Sequence, residues 1–261
     1  MIEPDHPHRS TITLSDLTEL VAAAREVLQP FNNDTAWWRG HANVEWRLVP
    51  QAFRPNPERP GQFYDETALI GHFVSRAPSR SHRSCPDAND FFGWLFLAQH
   101  YGLPTRLLDW TENPLVAAYF AVLEHPNDDG CIWALWPNRL NRFFDAANGL
   151  VQIRDQKVRE IAESAFTGRR SHEAFPAMAI DGQEIDPRML AQMSRFTLHS
   201  DPMPLDSVIW LRQFVIPKDA KARVRAQLSA LGIQRSNLFP DLASLATDTR
   251  DRTPLRSAPS S

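Results

Sequence analysis

Cysteine is scarce: the 261-residue chain holds two, Cys85 and Cys131, far apart and in no CxxC or Cys/His metal spacing. This argues against a disulfide framework and a structural zinc, no metal site is expected, and a reducing compartment fits best. Long apolar runs are lacking as well. Phe91 to Ala98 stops well short of the roughly 20 residues that span a bilayer, and Met1-Ile2-Glu3-Pro4-Asp5-His6 has neither a basic nor an apolar leader region. The expectation is a cytoplasmic protein with no membrane partner. Nor does one sign of charge dominate: 28 Lys and Arg face 31 Asp and Glu, for a net charge of −3. Overall charge therefore predicts no strong attraction to nucleic acid or anionic membrane. GxGxxG, GxxxxGK[ST], HExxH and a Ser/His/Asp order are all missing, which weighs against Rossmann, P-loop, zincin and triad chemistries.

What is present suffices for a sizeable core, since 43% of residues are apolar. The length suits one domain with a decorated edge. Leu17, Leu20, Val21, Ala24 and Leu28 fall at helical spacing behind Ser15 as cap. Short strands are predicted at Thr35 to Gly40 and Val44 to Val49, and a loop over residues 54–61, where three prolines deny ladder donors. Helices follow over Tyr64 to Ala77 and Asp90 to His100, the second stopped by Gly102. The basic stretch Arg76 to Arg83 between them reads as a solvated loop. Asn113 as N-cap and Pro114 at N1 open a buried helix through Ala121.

Cys131 to Leu135 reads as a buried strand, and residues 138–175 as a polar, irregular insertion or mobile surface lobe. Strands resume at Phe175 to Ile180, Arg195 to His199 and Val208 to Ile216. Helices are expected near Pro187 to Gln192, over Ala220 to Leu231 and from Phe239-Pro240-Asp241-Leu242, ahead of a polar, disordered tail. The irregular βα rhythm predicts an α+β fold with one or two small twisted sheets flanked by helices.

Two places concentrate polar groups. Arg39, at a strand end between Trp38 and Gly40, offers an always-charged planar fork suited to phosphate or carboxylate, or else pairs with a buried acid. Gly40 permits close approach of a ligand or a backbone. The segment from Gln99 to Pro114 is polar between apolar flanks, so its groups must bond to each other or to a ligand. Asp109 and Thr111 precede a helix N-terminus, which favours an anion but equally suits an internal network bracing the helix start. His100 is a structural histidine or a base, and Glu184 and Asp186 read as solvated loop acids.

These residues carry a resemblance. Trp38-Arg39-Gly40, with Gln99 to Thr111 continuing through Tyr119-Phe120-Ala121, resembles the FRG domain family. Weaker likenesses lie at Arg188 to Thr197 and Gly232 to Leu242. The resemblance implies an FRG-like domain over residues 30–246, after an N-terminal helical segment (1–29) and before a tail (247–261). Its layout is similar to that of ADP-ribosyltransferases, which implies a nucleotide partner, with NAD as substrate for ADP-ribosyl transfer or NAD glycohydrolysis in a toxin or antiviral defence effector. The alternative is a non-catalytic module that binds nucleic acid or a protein.

On that resemblance Arg39, Asp109 and Gln192 would be catalytic, and Trp38, Arg39, Gly40, His100, Arg106, Thr111 and Tyr119 would bind the cofactor. Gln192 stands where active transferases hold a glutamate. An amide keeps the ribose hydrogen bond but loses the Coulomb stabilisation of the cationic sugar. Glu112 or Asp109 would then supply the carboxylate.

Overall fold

A computed structural model describes residues 12–28, 35–80, 85–169, 175–182, 186–207 and 211–254. The fold is α+β. Its strands are β1 (Ile12–Thr13), β2 (Trp37–His41), β3 (Leu107–Thr111), β4 (Gly130–Leu135), β5 (Val151–Gln152), β6 (Ala177–Asp181), β7 (Ser194–His199) and β8 (Leu211–Ile216). They form one open sheet of order β1-β8-β4-β2-β3-β7-β6-β5. The outermost pairs, β1/β8 and β5/β6, are parallel and the rest antiparallel.

Side chains alternate across the pleat and so sort into two faces. Trp38, Ile132, Ala134 and Phe214 enter one apolar cluster under α1 (Leu17–Leu28), α4 (Pro114–Leu123) and α8 (Lys218–Ala230). On the same face Leu107, Met178, Phe196 and Leu198 enter a second, under α2 (Glu66–Arg76), α3 (Phe91–His100) and α6 (Gln156–Thr167). Trp37, Trp110, Cys131 and Trp133 fill a third on the opposite face, with Leu140 of α5 (Pro137–Phe143).

The sheet is nearly cut in two. β2 is paired along its length with β4, and β3 along its length with β7, yet β2 and β3 share a single register pair, Trp38↔Thr111. Beyond that joint the two halves diverge. A strand edge opened in this way leaves carbonyls that need donors, and side chains supply them. Gln99 Nε2 reaches Leu107 O at 3.4 Å, and Arg39 Nη1 donates to Asp109 O at 2.6 Å. Buried Lys221 of α8 secures the other side, donating to Ala42 O, Glu124 O and His125 O at 2.6, 3.2 and 2.8 Å. It thereby ties the end of β2 to the C-terminus of α4, where a cation also suits the helix dipole.

Several predicted elements form as expected. Asn113 Oδ1 caps α4 by accepting from Leu115 N at 2.9 Å, with Pro114 in the first turn. Gly102 takes φ +83° just past α3, a conformation that costs glycine little. Other expectations are corrected. The small sheets are one eight-stranded sheet. Val44 to Val49 is a turn, not a strand: Asn43 Oδ1 accepts from Glu45 N, Trp46 N bonds Asn43 O, and Val44 N leaves for Asp129 O.

Within 138–175 lie α5, β5 and α6, not irregular chain, and Val158, Ile161, Ala162 and Ala165 of α6 are buried in the second cluster. Asp16, not Ser15, caps α1, accepting from Glu19 N at 3.0 Å. The last helix, α10 (Leu242–Arg252), runs into the segment expected to be disordered. Residues 81–84, which include Arg83, as well as Glu184, 208–210 and 255–261, lie outside the described residues. Among the described residues no helix is long and apolar enough to cross a membrane.

Candidate functional site in the opening of the sheet

The divergence of β2 from β3 leaves a cleft of about 190 Å³ on the helical face. Trp38, Arg39 and Gly40 form one wall, Asp109, Trp110 and Thr111 the next, and Ala117 and Phe120 of α4 the roof, while Arg188, Gln192 and Ser194 close the far side. Arg188 and Gln192 belong to α7 (Pro187–Gln192), whose cap is Asp186.

Arg39 sits at the apex. Alternation sends it to the face of Trp37 and His41, and its guanidinium turns into the gap. Nε donates to His41 Nε2 at 3.0 Å and Nη1 to Asp109 O, while the Asp109 carboxylate stands 3.9 Å away. Nη2 makes no hydrogen bond to a described residue, so the fork has two fixed corners and one to offer. Burial lowers the Arg39 pKa and Asp109 partly offsets this. The group stays charged because an arginine begins far above neutrality.

Because Arg39 donates to His41 Nε2, the His41 proton must lie on Nδ1, directed at Trp46 O 3.2 Å away. Burial, then the charges of Arg39 and Arg54, hold His41 well below the usual histidine range. Burial and Arg39 likewise push His199 on β7 down to about 3.

Both histidines are therefore neutral in the folded chain. The unfolded chain takes up a proton on each as pH falls through 6.5 and the folded chain does not, so stability is lost on acidification from 6.5 toward 3. His199 alone is expected to contribute about 2 kcal/mol of this loss by about pH 5. Urea midpoints measured from about pH 7 to about pH 5 should fall accordingly. A flat profile would show His199 to be accessible to protons.

Asp109 is 55% exposed and directed by Gln99, whose Nε2 donates to Oδ2 at 2.9 Å. Gln99 Oε1 in turn accepts from the Thr105 hydroxyl. Thr111 Oγ1 donates to Gln192 O at 2.6 Å and accepts from Asn113 N at 3.1 Å. With Leu115 N held by Asn113 Oδ1, and Val116 N and Ala117 N bonded to Asn113 O, the start of α4 has no spare amide. Of the two readings of that helix end, the internal network is what forms there, and the cations of the cleft are arginines.

Trp38, Arg39, Gly40, Asp109, Thr111 and Gln192 are thus brought together. Three other expected site residues stand outside the cleft. Arg106 is buried against α6 and α2, with Glu66, Ile161 O and Ser164 occupying its donors. His100 Nε2 lies 3.5 Å from Asp186 Oδ2, and Tyr119 is packed in the core, where burial raises its pKa. Glu112 is held by Arg195 through two contacts of 2.9 and 3.1 Å and is no spare carboxylate.

Sequence reasoning missed Arg188, whose guanidinium lies 4.6 Å from the Phe239 ring centroid. Its place in the segment before Gln192 was the available signal.

The split α+β sheet thus holds a cleft with an arginine at its apex. Residues 34–130 match the family model of the FRG domain, so this part of the chain carries an FRG domain. The match covers β2 through α4, hence Arg39, Asp109 and Thr111, and ends before Arg188 and Gln192. No curated protein and no solved structure matches the chain.

Proposed function

We propose that the cleft binds a phosphate-bearing nucleotide, with NAD as substrate for ADP-ribosyl transfer or NAD glycohydrolysis. The observation that carries this is Arg39, a guanidinium held by His41 Nε2 and Asp109 O that lines a cleft together with Asp109. Cleavage of the nicotinamide–ribose bond releases nicotinamide with the bonding electrons and leaves positive charge on the sugar. Water or an acceptor hydroxyl then adds to the anomeric carbon and gives up a proton.

Asp109 is the carboxylate free to face that charge, because Glu112 is spent on Arg195. Gln192 donates Nε2 to Leu238 O at 3.0 Å, which leaves Oε1 for a ribose hydroxyl. Purified protein incubated with NAD is expected to release nicotinamide. Asp109→Asn should slow that release by about 100-fold, the scale of losing one charge-stabilising group, with ADP-ribose binding retained. Absence of both turnover and binding would defeat the proposal.

Gln192 supports a second reading, a non-catalytic module, because an amide provides no Coulomb stabilisation. Binding of ADP-ribose without any NAD turnover is the outcome that selects it.

A further inference from the structure

Arg39 serves two clefts. The second, of about 300 Å³, adjoins the first across Arg39 and Gly40 and is lined by Trp46, Arg54, Arg235 and Phe239 among others. Its charges are unequal, with Arg39, Arg54 and Arg235 against Glu124. Arg54 Nε is anchored on Val49 O at 2.7 Å, and neither Arg54 nor Arg235 has a salt-bridge partner among the described residues. Burial beside Arg39 pushes Arg54 down to about 10, with Asp109 offsetting part of the effect. Arg39 and Arg54 thus line one cleft, and Asp109 is the carboxylate that acts on both.

Trp46 forms the aromatic side of the cleft. It is 39% exposed, and its ring stands T-shaped to His41 at 6.1 Å and to His125 at 5.1 Å. No ring among the described residues lies parallel to it.

Resting on the nucleotide proposal above, we infer that the ligand straddles Arg39, with a diphosphate between Arg39 and Arg54, one nucleoside in the second cleft with its base on Trp46, and the remaining group beside Gln192. The substrate class is a nucleoside diphosphate carrying a further substituent, not a mononucleotide. One guanidinium satisfies one phosphate, whereas a pair sharing a wall matches two linked ones. A base stacks on an indole whatever its sequence identity. Each cleft is at or below the small end of ligand sites, which run from roughly 300 Å³ upward, so a two-armed ligand needs both.

The test is calorimetric titration of ADP-ribose, ADP, AMP and inorganic diphosphate into the full chain, its Trp46→Ala and Trp46→Phe variants, and Arg54→Gln. ADP is expected to bind about tenfold more tightly than AMP, as one charge-assisted contact implies, and ADP-ribose more tightly than ADP. Trp46→Ala should weaken ADP and ADP-ribose about tenfold, the scale of one lost stacking contact, with inorganic diphosphate unchanged and Trp46→Phe largely restored. Arg54→Gln should weaken diphosphate and ADP and leave AMP little changed.

If ADP binds but AMP equals it, or Trp46→Ala leaves ADP unaffected, the straddling arrangement is overturned and the nucleotide proposal stands. If none of the four binds, both fall. If a single-stranded oligonucleotide binds more tightly than ADP-ribose, with a steep loss in salt, the straddling small-molecule ligand is overturned in favour of nucleic acid.

Discussion

Gly40→Ala is expected to cost about 3 kcal/mol of stability or more, at the upper end of what overpacking does. A Cβ built there meets Ala117 O at 1.8 Å, Ala121 N at 2.7 Å and Ala117 C at 2.9 Å. All three atoms are backbone of α4, so no rotamer change can relieve the clash. The helix must move away from β2, and Lys221 resists that movement by holding both elements. In a chain of this size such a loss lowers the melting temperature by about 10 °C.

Gly71→Ala is the same chemical change in the middle of α2, where nothing lies within 4 Å of the new methyl. It should stabilise by up to about 1 kcal/mol, because helical glycine carries an entropic penalty. Thermal melts of the two variants side by side test the packing. Equal melting temperatures would mean that α4 does not rest on Gly40.

Arg39→Gln is expected to weaken ADP-ribose binding by about 100-fold, or about 3 kcal/mol, within the range for removing one partner of a buried charged contact. Little stability should be lost. The variant leaves Asp109 O and His41 Nε2 without Arg39, at about 1 kcal/mol each, and relief of a desolvated charge offsets this. A 100-fold weaker complex with an unchanged melt assigns Arg39 to the ligand. Unfolding of the variant, by contrast, would make it a structural brace for the split sheet.

Local chemistry was the legible part of this sequence. Asn113-Pro114 marks the start of α4 because cap and proline act within one turn, and Trp38-Arg39-Gly40 with Asp109 to Thr111 proves to line one cleft. What depends on distant partners was not legible. Arg106 resembles Arg39 as a guanidinium in a polar block, yet Glu66 and Ser164, brought in by α2 and α6, consume it.

Val44, Trp46 and Leu48 alternate like a strand, but Val44 N bonds Asp129 O and Asn43 builds a turn, so the periodicity misled. In α6 Val158, Ile161, Ala162 and Ala165 do recur at helical spacing, but the polar composition of residues 138–175 masks that stripe. The second cleft escaped notice because Trp46, Arg54 and Arg235 converge only in three dimensions.

On the proposed function, a nucleotide phosphate sits at the apex of the split sheet, on Arg39. A crystal structure of the chain grown with ADP-ribose tests it most directly. The expected result is a phosphate oxygen about 2.8 Å from Arg39 Nη2, with β2 and β3 still joined at Trp38 and Thr111. Density for ADP-ribose anywhere else, or an empty cleft at saturating ligand, would contradict it.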